Sequence, residues 1–166
     1  MLIRDATAED WPAIWSFLRV VIAAGETLCW ERDEAEEVVR AGWLRTPPGR
    51  AVVAVEADGR VVGVAERHPN QRGPAGHVAN AGFVVDPARG GRGIGRLLGE
   101  HVLRAAAADG YRAMQFNAVV ETNTGAVALW RSLGFTVIGT VPAAFDHPLH
   151  GPVGLHIMHR SLEGVR

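Results

Sequence analysis

The stretch from Val84 to Leu98 constrains this chain more than any other. It begins apolar with Val84-Val85, breaks at Asp86-Pro87, and then carries Gly90, Gly91, Gly93 and Gly95 interleaved with Arg89, Arg92 and Arg96. From there the apolar residues Ile94, Leu97, Leu98, Val102, Ala105 and Ala106 recur at helical spacing. The pattern predicts a strand, a glycine loop and a helix N-terminus. Such a junction gathers unpaired backbone N–H groups at the positive end of a helix dipole, which suits a phosphate. Glycines let successive amides turn inward, and the arginines add charge.

Two well-known phosphate loops do not fit. A dinucleotide fingerprint needs G-x-G-x-x-G, yet counting from Gly91 the third glycine falls on Arg96, and from Gly93 on Leu98. A P-loop needs G-x-x-x-x-G-K-[ST]; Gly90 to Gly95 has the spacing, but Arg96-Leu97 follows, so the phosphate lysine and the magnesium hydroxyl are missing. The run resembles instead the acyl-CoA loop of the GCN5-related N-acetyltransferases. There a strand, often an Asp-Pro, and R/Q-x-x-G-x-G/A precede a leucine-rich helix. Gly93-Ile94-Gly95 and Leu97-Leu98 match that pattern; its Arg/Gln position falls on Gly90, with Arg89 one residue early.

A second run, Asn123 to Phe135, resembles that family's N-x-x-A-x-x-L-Y-x-x-x-G-F segment. Physically Asn123 is a helix N-cap candidate; the resemblance also implies that its amide reaches the pantetheine arm. Trp130 stands where many members carry a tyrosine that protonates the departing thiolate. An indole N–H is too weak an acid for that role. The resemblance further implies that Phe83, Val84 and Val85 bind pantetheine through their backbone, that Trp130 packs near the thiol, and that Arg89, Gly90, Gly91, Arg92, Gly93, Ile94, Gly95 and Arg96 hold the pyrophosphate of acetyl-CoA.

The rest of the chain reads as α/β. Residues 2–5 form a strand, Thr7 with Asp10 starts a helix, and Trp11, Ile14, Trp15, Leu18 and Ile22 make its apolar stripe. A second helix is expected over 33–43, a hairpin over 51–57 and 60–67 about Asp58-Gly59, and a strand over 77–85. After the long helix, closed by Asp109-Gly110, come a strand (113–120), a helix (123–133) and strands over 135–141 and 152–160. The order βααβββαβαββ gives a mixed sheet flanked by helices, again that of the acetyltransferase family, whose splayed strands form the acyl-CoA cleft. A single domain spanning 1–166 is expected.

The acceptor side is less explicit. Strand 77–82 is His-Val-Ala-Asn-Ala-Gly, without the glutamate base usual in the family. Asn80, Asn117 and Asn123 together resemble a yeast subgroup that detoxifies the proline analogue azetidine-2-carboxylate. That resemblance implies that Asn80 and Asn117 orient the substrate amine while water removes its proton. From the residues themselves, His77, Glu26, Glu121 and His147 are the side chains able to replace water as base. The Gly25–Glu31 connection resembles a segment of the phosphinothricin-type enzymes, so Glu26 and Thr27 are substrate candidates. Residues 145–150 are expected to form a loop lining the pocket, with His147 as proton relay. His147, His150, His156 and His159 lack the cysteines or paired carboxylates of a metal site, and no metal is expected.

Composition adds bounds. The net charge of −1 does not favour nucleic acid or anionic membrane, and all 17 basic residues are arginine. One cysteine, Cys29, forbids an internal disulfide and suits a reducing compartment, so a cytoplasmic protein is expected. No apolar run approaches membrane-spanning length. The reading is an acetyl-CoA-dependent N-acetyltransferase of a small amine, such as an amino acid or analogue. The rivals are a non-catalytic acyl-CoA-binding module, given the absent tyrosine and base, and a protein N-acetyltransferase. A homodimer is left open.

Overall fold

A computed structural model describes residues 1–165. The elements run β1 (Leu2–Asp5), α1 (Trp11–Ala24), α2 (Glu36–Trp43), β2 (Arg50–Val55), β3 (Val61–Pro69), β4 (Val78–Val85), α3 (Ile94–Ala108), β5 (Ala113–Val120), α4 (Thr124–Ser132), β6 (Thr136–His147) and β7 (Gly151–Ser161). The strands form one sheet in the order β1-β2-β3-β4-β5-β7-β6. Every neighbouring pair is antiparallel except β4 and β5, which α3 joins as a parallel crossover.

Each sheet face is covered by its own pair of helices. On one face Trp11, Ile14, Leu18 and Ile22 of α1 and Val39 and Trp43 of α2 pack with Val53, Val64 and Val84. On the other, Ile94, Leu98 and Val102 of α3 and Val127 and Trp130 of α4 pack with Ala65, Ala79, Met114 and Phe116. The start of α1 is pinned by Asp10. Its Oδ2 accepts from the Thr7 N–H at 2.8 Å, and its two oxygens accept from Arg4 Nη1 and Nη2 at 2.7 and 2.6 Å. Chiefly the Arg4 hydrogen bond holds the Asp10 carboxyl well below its usual range, at about 2.

The sheet opens at its parallel pair. β4 and β5 pair only at Val78↔Ala113 and Ala79↔Met114; beyond that they diverge. The disturbance lies in β5, not in β4. The β3–β4 register is continuous from Gly63↔Val85 to Pro69↔Ala79, whereas the β5–β7 register shifts between Phe116 and Val119. Asn117 and Ala118 therefore sit in a bulge that bends β5 away.

Two expected boundaries are corrected. α2 starts at Glu36 rather than Asp33, and Glu36 accepts from Trp11 Nε1 at 2.8 Å. β6 runs on to His147, so residues 145–147 are strand and only the Pro148–His150 turn separates it from β7. Pro142 does not stop β6 because β6 is the sheet's edge, and pairing with β7 is interrupted there, between Val141 and Phe145.

Candidate active site

The divergence of β4 from β5 leaves a cleft of about 850 Å³. Its walls are β4 from Asn80 to Val85, β5 from Phe116 to Val120, Asn123 with α4, and Val20, Val21 and Ala24 of α1 with Glu26 to Leu28 just after it. Even-numbered positions of β4 bond to β3, as the Asn70 N–H to Val78 carbonyl (2.8 Å) and Asp86 N–H to Val62 carbonyl (2.9 Å) bonds show. Alternation then turns the N–H and C=O groups of Ala81, Phe83 and Val85 toward the gap. Asn80 caps the first of these: its Oδ1 accepts from the Ala81 N–H at 2.8 Å. Among the described residues Phe83 and Val85 have no ladder partner on that side, so the edge is open to an extended ligand.

At one end the cleft meets the glycine loop. The Asp86 Oδ1 accepts from the Ala88 N–H at 2.9 Å, which turns the chain out of β4. Gly91 and Gly93 take φ of 75° and 77°, the left-handed region that side chains resist. An added Cβ at either would meet nothing within 4 Å, so open space lies over the turn. The first intrahelical bond of α3 runs from the Leu97 N–H to the Gly93 carbonyl, leaving the amides of Ile94, Gly95 and Arg96 ahead of it unpaired within the helix. These features fit a pyrophosphate.

The loop's residues divide by role. Gly90 and Gly91 line the cleft. The Ile94 side chain is buried in the core, so only its backbone faces outward. At Gly95 a Cβ would lie 3.2 Å from Leu129 Cδ2; its missing side chain lets α4 approach α3. Arg89 and Arg92 each lie 3.6 Å from Glu56 of the β2–β3 turn, and Arg96 donates to Ser132 Oγ at 2.7 Å.

Beyond the loop, Asn123 caps α4, its Oδ1 accepting from the Ala126 N–H at 3.3 Å, and it lines the cleft. Trp130 does so too, packed against Phe83 and Phe116 with ring centroids 4.7 and 4.8 Å apart. Glu26, Thr27, Asn80 and Asn117, drawn from three separate segments, meet in the same cleft. Asn117 is held in a chain of amides: its Oδ1 accepts from Gln115 at 3.0 Å and its Nδ2 donates to Asn70 at 2.7 Å.

His147 does not join them. It is buried at the end of β6, outside the cleft lining, and its Nδ1 accepts from the Leu149 N–H at 3.1 Å. His77 and Glu121 are also outside: His77 Nδ1 contacts the Pro74 carbonyl, and Glu121 accepts from the Gly154 N–H. Among the described residues no group of three or more His, Cys, Asp or Glu side chains is placed to hold a metal.

The Acetyltransferase (GNAT) family profile matches residues 6–135. The chain belongs to this family. It is 53% identical to a GCN5-related N-acetyltransferase from Kribbella flavida whose structure superposes with a TM-score of 0.93 over 96% of both chains. It is 30% identical, over 84% of its own length and 83% of the relative's, to an L-methionine sulfoximine/L-methionine sulfone acetyltransferase of Pseudomonas aeruginosa. It is 33% identical to the N-acetyltransferase aca1 of Schizosaccharomyces pombe, over 58% of this chain and 46% of that one, which supports the yeast-like subgroup. The chain thus spans less than half of that yeast relative. A phosphinothricin acetyltransferase from Sinorhizobium meliloti, solved with AcCoA, shares the fold at TM-score 0.84 and 24% identity, covering 96% of this chain and 87% of that one.

This GNAT protein is therefore an acyltransferase with acetyl-CoA as co-substrate. Among the described residues no helix is long and apolar enough to cross a membrane. Sequence reading missed one residue of the cleft above all: Glu66, a buried carboxylate on β3. The available signal was a lone acid ending the apolar run Val61-Val62-Gly63-Val64-Ala65.

Proposed function

We propose that this enzyme transfers the acetyl group of acetyl-CoA to the amine of a small molecule, an amino acid or amino-acid analogue. The observation that carries the reading is the wall beside the two asparagines. Val20, Val21, Ala24 and Glu26 to Leu28 line the same cleft as Asn80 and Asn117, and together they suit a small acceptor. Apolar Val20, Val21 and Leu28 suit a short aliphatic side chain, while the carboxylates of Glu26 and Glu66 suit an ammonium. The relative that acts on methionine sulfoximine and sulfone supports the same substrate class.

In this reading Asn80 and Asn117 position the acceptor, and the backbone of Phe83 to Val85 with the loop from Arg89 to Arg96 binds acetyl-CoA. We infer a cytoplasmic location from the single cysteine, Cys29, and a homodimer is the assembly to seek by light scattering. The test of function is thiol release from acetyl-CoA across a panel of amino acids, proline analogues, methionine sulfone, polyamines and short peptides. Turnover confined to amino acids and analogues is the expected result; turnover confined to peptides would replace it with protein N-acetylation.

A further inference from the structure

Amine attack on a thioester requires that the ammonium lose a proton, and the cleft holds two carboxylates. Glu26 stands half-buried on the loop after α1 and has no hydrogen bond among the described residues. Glu66 is built in. It is 7% exposed, on a central strand, and its Oε2 accepts from Arg45 Nε at 2.8 Å and faces His68 Nδ1 at 2.9 Å. The Arg45 guanidinium supplies the countercharge a buried carboxylate needs.

The other oxygen is free. Oε1 has no hydrogen-bond partner among the described residues and lies over Gly82; a Cβ added there would stand 3.0 Å from it. Only glycine leaves that space, and Gly82 itself lines the cleft. The register pairs Glu66 with Gly82 and His68 with Asn80, so all four positions share one face of the β3–β4 pair. That face also carries the Asn80 Nδ2, unpartnered among the described residues because Asn80 bonds Ala81 through its oxygen.

We propose that Glu66 is a catalytic residue: its Oε1 binds the acceptor's ammonium beside Gly82, and the Glu66–His68 pair takes the proton. The inference rests on the reading of this cleft as an amine site. One proton of the ammonium passes through the carboxylate to the imidazole and on to solvent. The freed lone pair forms the N–C bond, the C–S bond breaks, and sulfur leaves with the electron pair. The thiolate then takes the second proton shed by the nitrogen. Among the described residues the charged and titratable groups in contact with Glu66 are Arg45, from the segment after α2, and His68 on its own strand, and Glu26 lines the same cleft.

Glu66→Gln keeps the shape and removes the charge. With the best amine of the panel, kcat/KM is expected to fall about a hundredfold, and the pH profile to lose its enzyme limb and follow only the amine. Acetyl-CoA affinity by calorimetry stays within twofold. Gly82→Ala sets a methyl against Oε1 without altering charge and should cost about tenfold; it serves if Glu66→Gln does not fold. A Glu66→Gln enzyme within threefold of wild type, or one slowed equally at every pH, overturns the role. Peptide-only turnover ends the small-molecule reading but still judges Glu66, because peptides also present an ammonium. No turnover with any amine ends both.

Discussion

In the proposed reading, the two ends of the cleft are built differently. The phosphate end is made of backbone: amides from one continuous stretch, held by two left-handed glycines and a helix start. The amine end is made of side chains: Glu26 from a loop, Glu66 from β3, Asn80 from β4 and Asn117 from a bulge in β5. A backbone site survives most side-chain changes and fails when the turn itself is forbidden. A side-chain site fails one residue at a time, each by the worth of its own contacts.

The largest effect should come from breaking the turn. Gly93→Val forces a β-branched residue into φ of 77°. The strain, of the order of 1–3 kcal/mol, falls on the amides proposed to meet the ligand. Acetyl-CoA affinity by calorimetry should drop about a hundredfold in a folded protein. An unchanged affinity would remove the loop from the site.

Next in size is the amine end. Asn80→Ala deletes the free Nδ2 donor and leaves the Ala81 N–H without its cap. That costs about 1–3 kcal/mol, or roughly ten- to a hundredfold in kcat/KM. Acetyl-CoA affinity should hold. If it falls in step with the rate, the two ends are not separate and Asn80 supports the pantetheine edge instead.

The same contrast explains what could be read from the sequence. The strand order, the glycine loop and the Asn123 cap are local patterns, and periodicity and turn chemistry reach them. Glu66 needs the β3–β4 register before it appears opposite Gly82. Gly95 looks like a phosphate glycine until α4 is seen packed on it. Residues 145–147 looked like loop because Pro148 and the aromatic-polar run hide an edge strand. The arginines' partner, Glu56, lies in a turn more than thirty residues upstream.

A third prediction separates frame from chemistry. Asp10→Asn removes the Arg4 ion pair that anchors α1, whose last turns line the cleft. The folded carboxyl sits at about 2 against an ordinary 3.8. A depressed folded value stabilises above the unfolded one, so the contribution is complete above about pH 4 and lost as pH falls toward about 2. Because the Arg4 side chain is 39% exposed, screening reduces the gain to about 1–2 kcal/mol at pH 7. Urea denaturation of wild type and variant should converge near pH 2, with acceptor KM raised and acetyl-CoA affinity intact at pH 7. Equal stability at both pH values would show that the pair contributes nothing.

The smallest effect tests whether the phosphate end is backbone after all. Arg89 and Arg92 each lie 3.6 Å from Glu56, so their charge is partly answered before any ligand arrives. Glu56→Gln frees both guanidiniums toward the loop. If amides carry the pyrophosphate, the added attraction of these partly exposed, solvent-screened charges is worth less than about 1 kcal/mol. Acetyl-CoA affinity should then rise about two- to threefold at low salt, and the gain should fade at high ionic strength as screening shortens the reach of the charges. A tenfold rise, or one that persists in salt, would move the binding energy from amides to arginines. The contrast between a backbone end and a side-chain end would then fail at the end where the sequence states it most clearly.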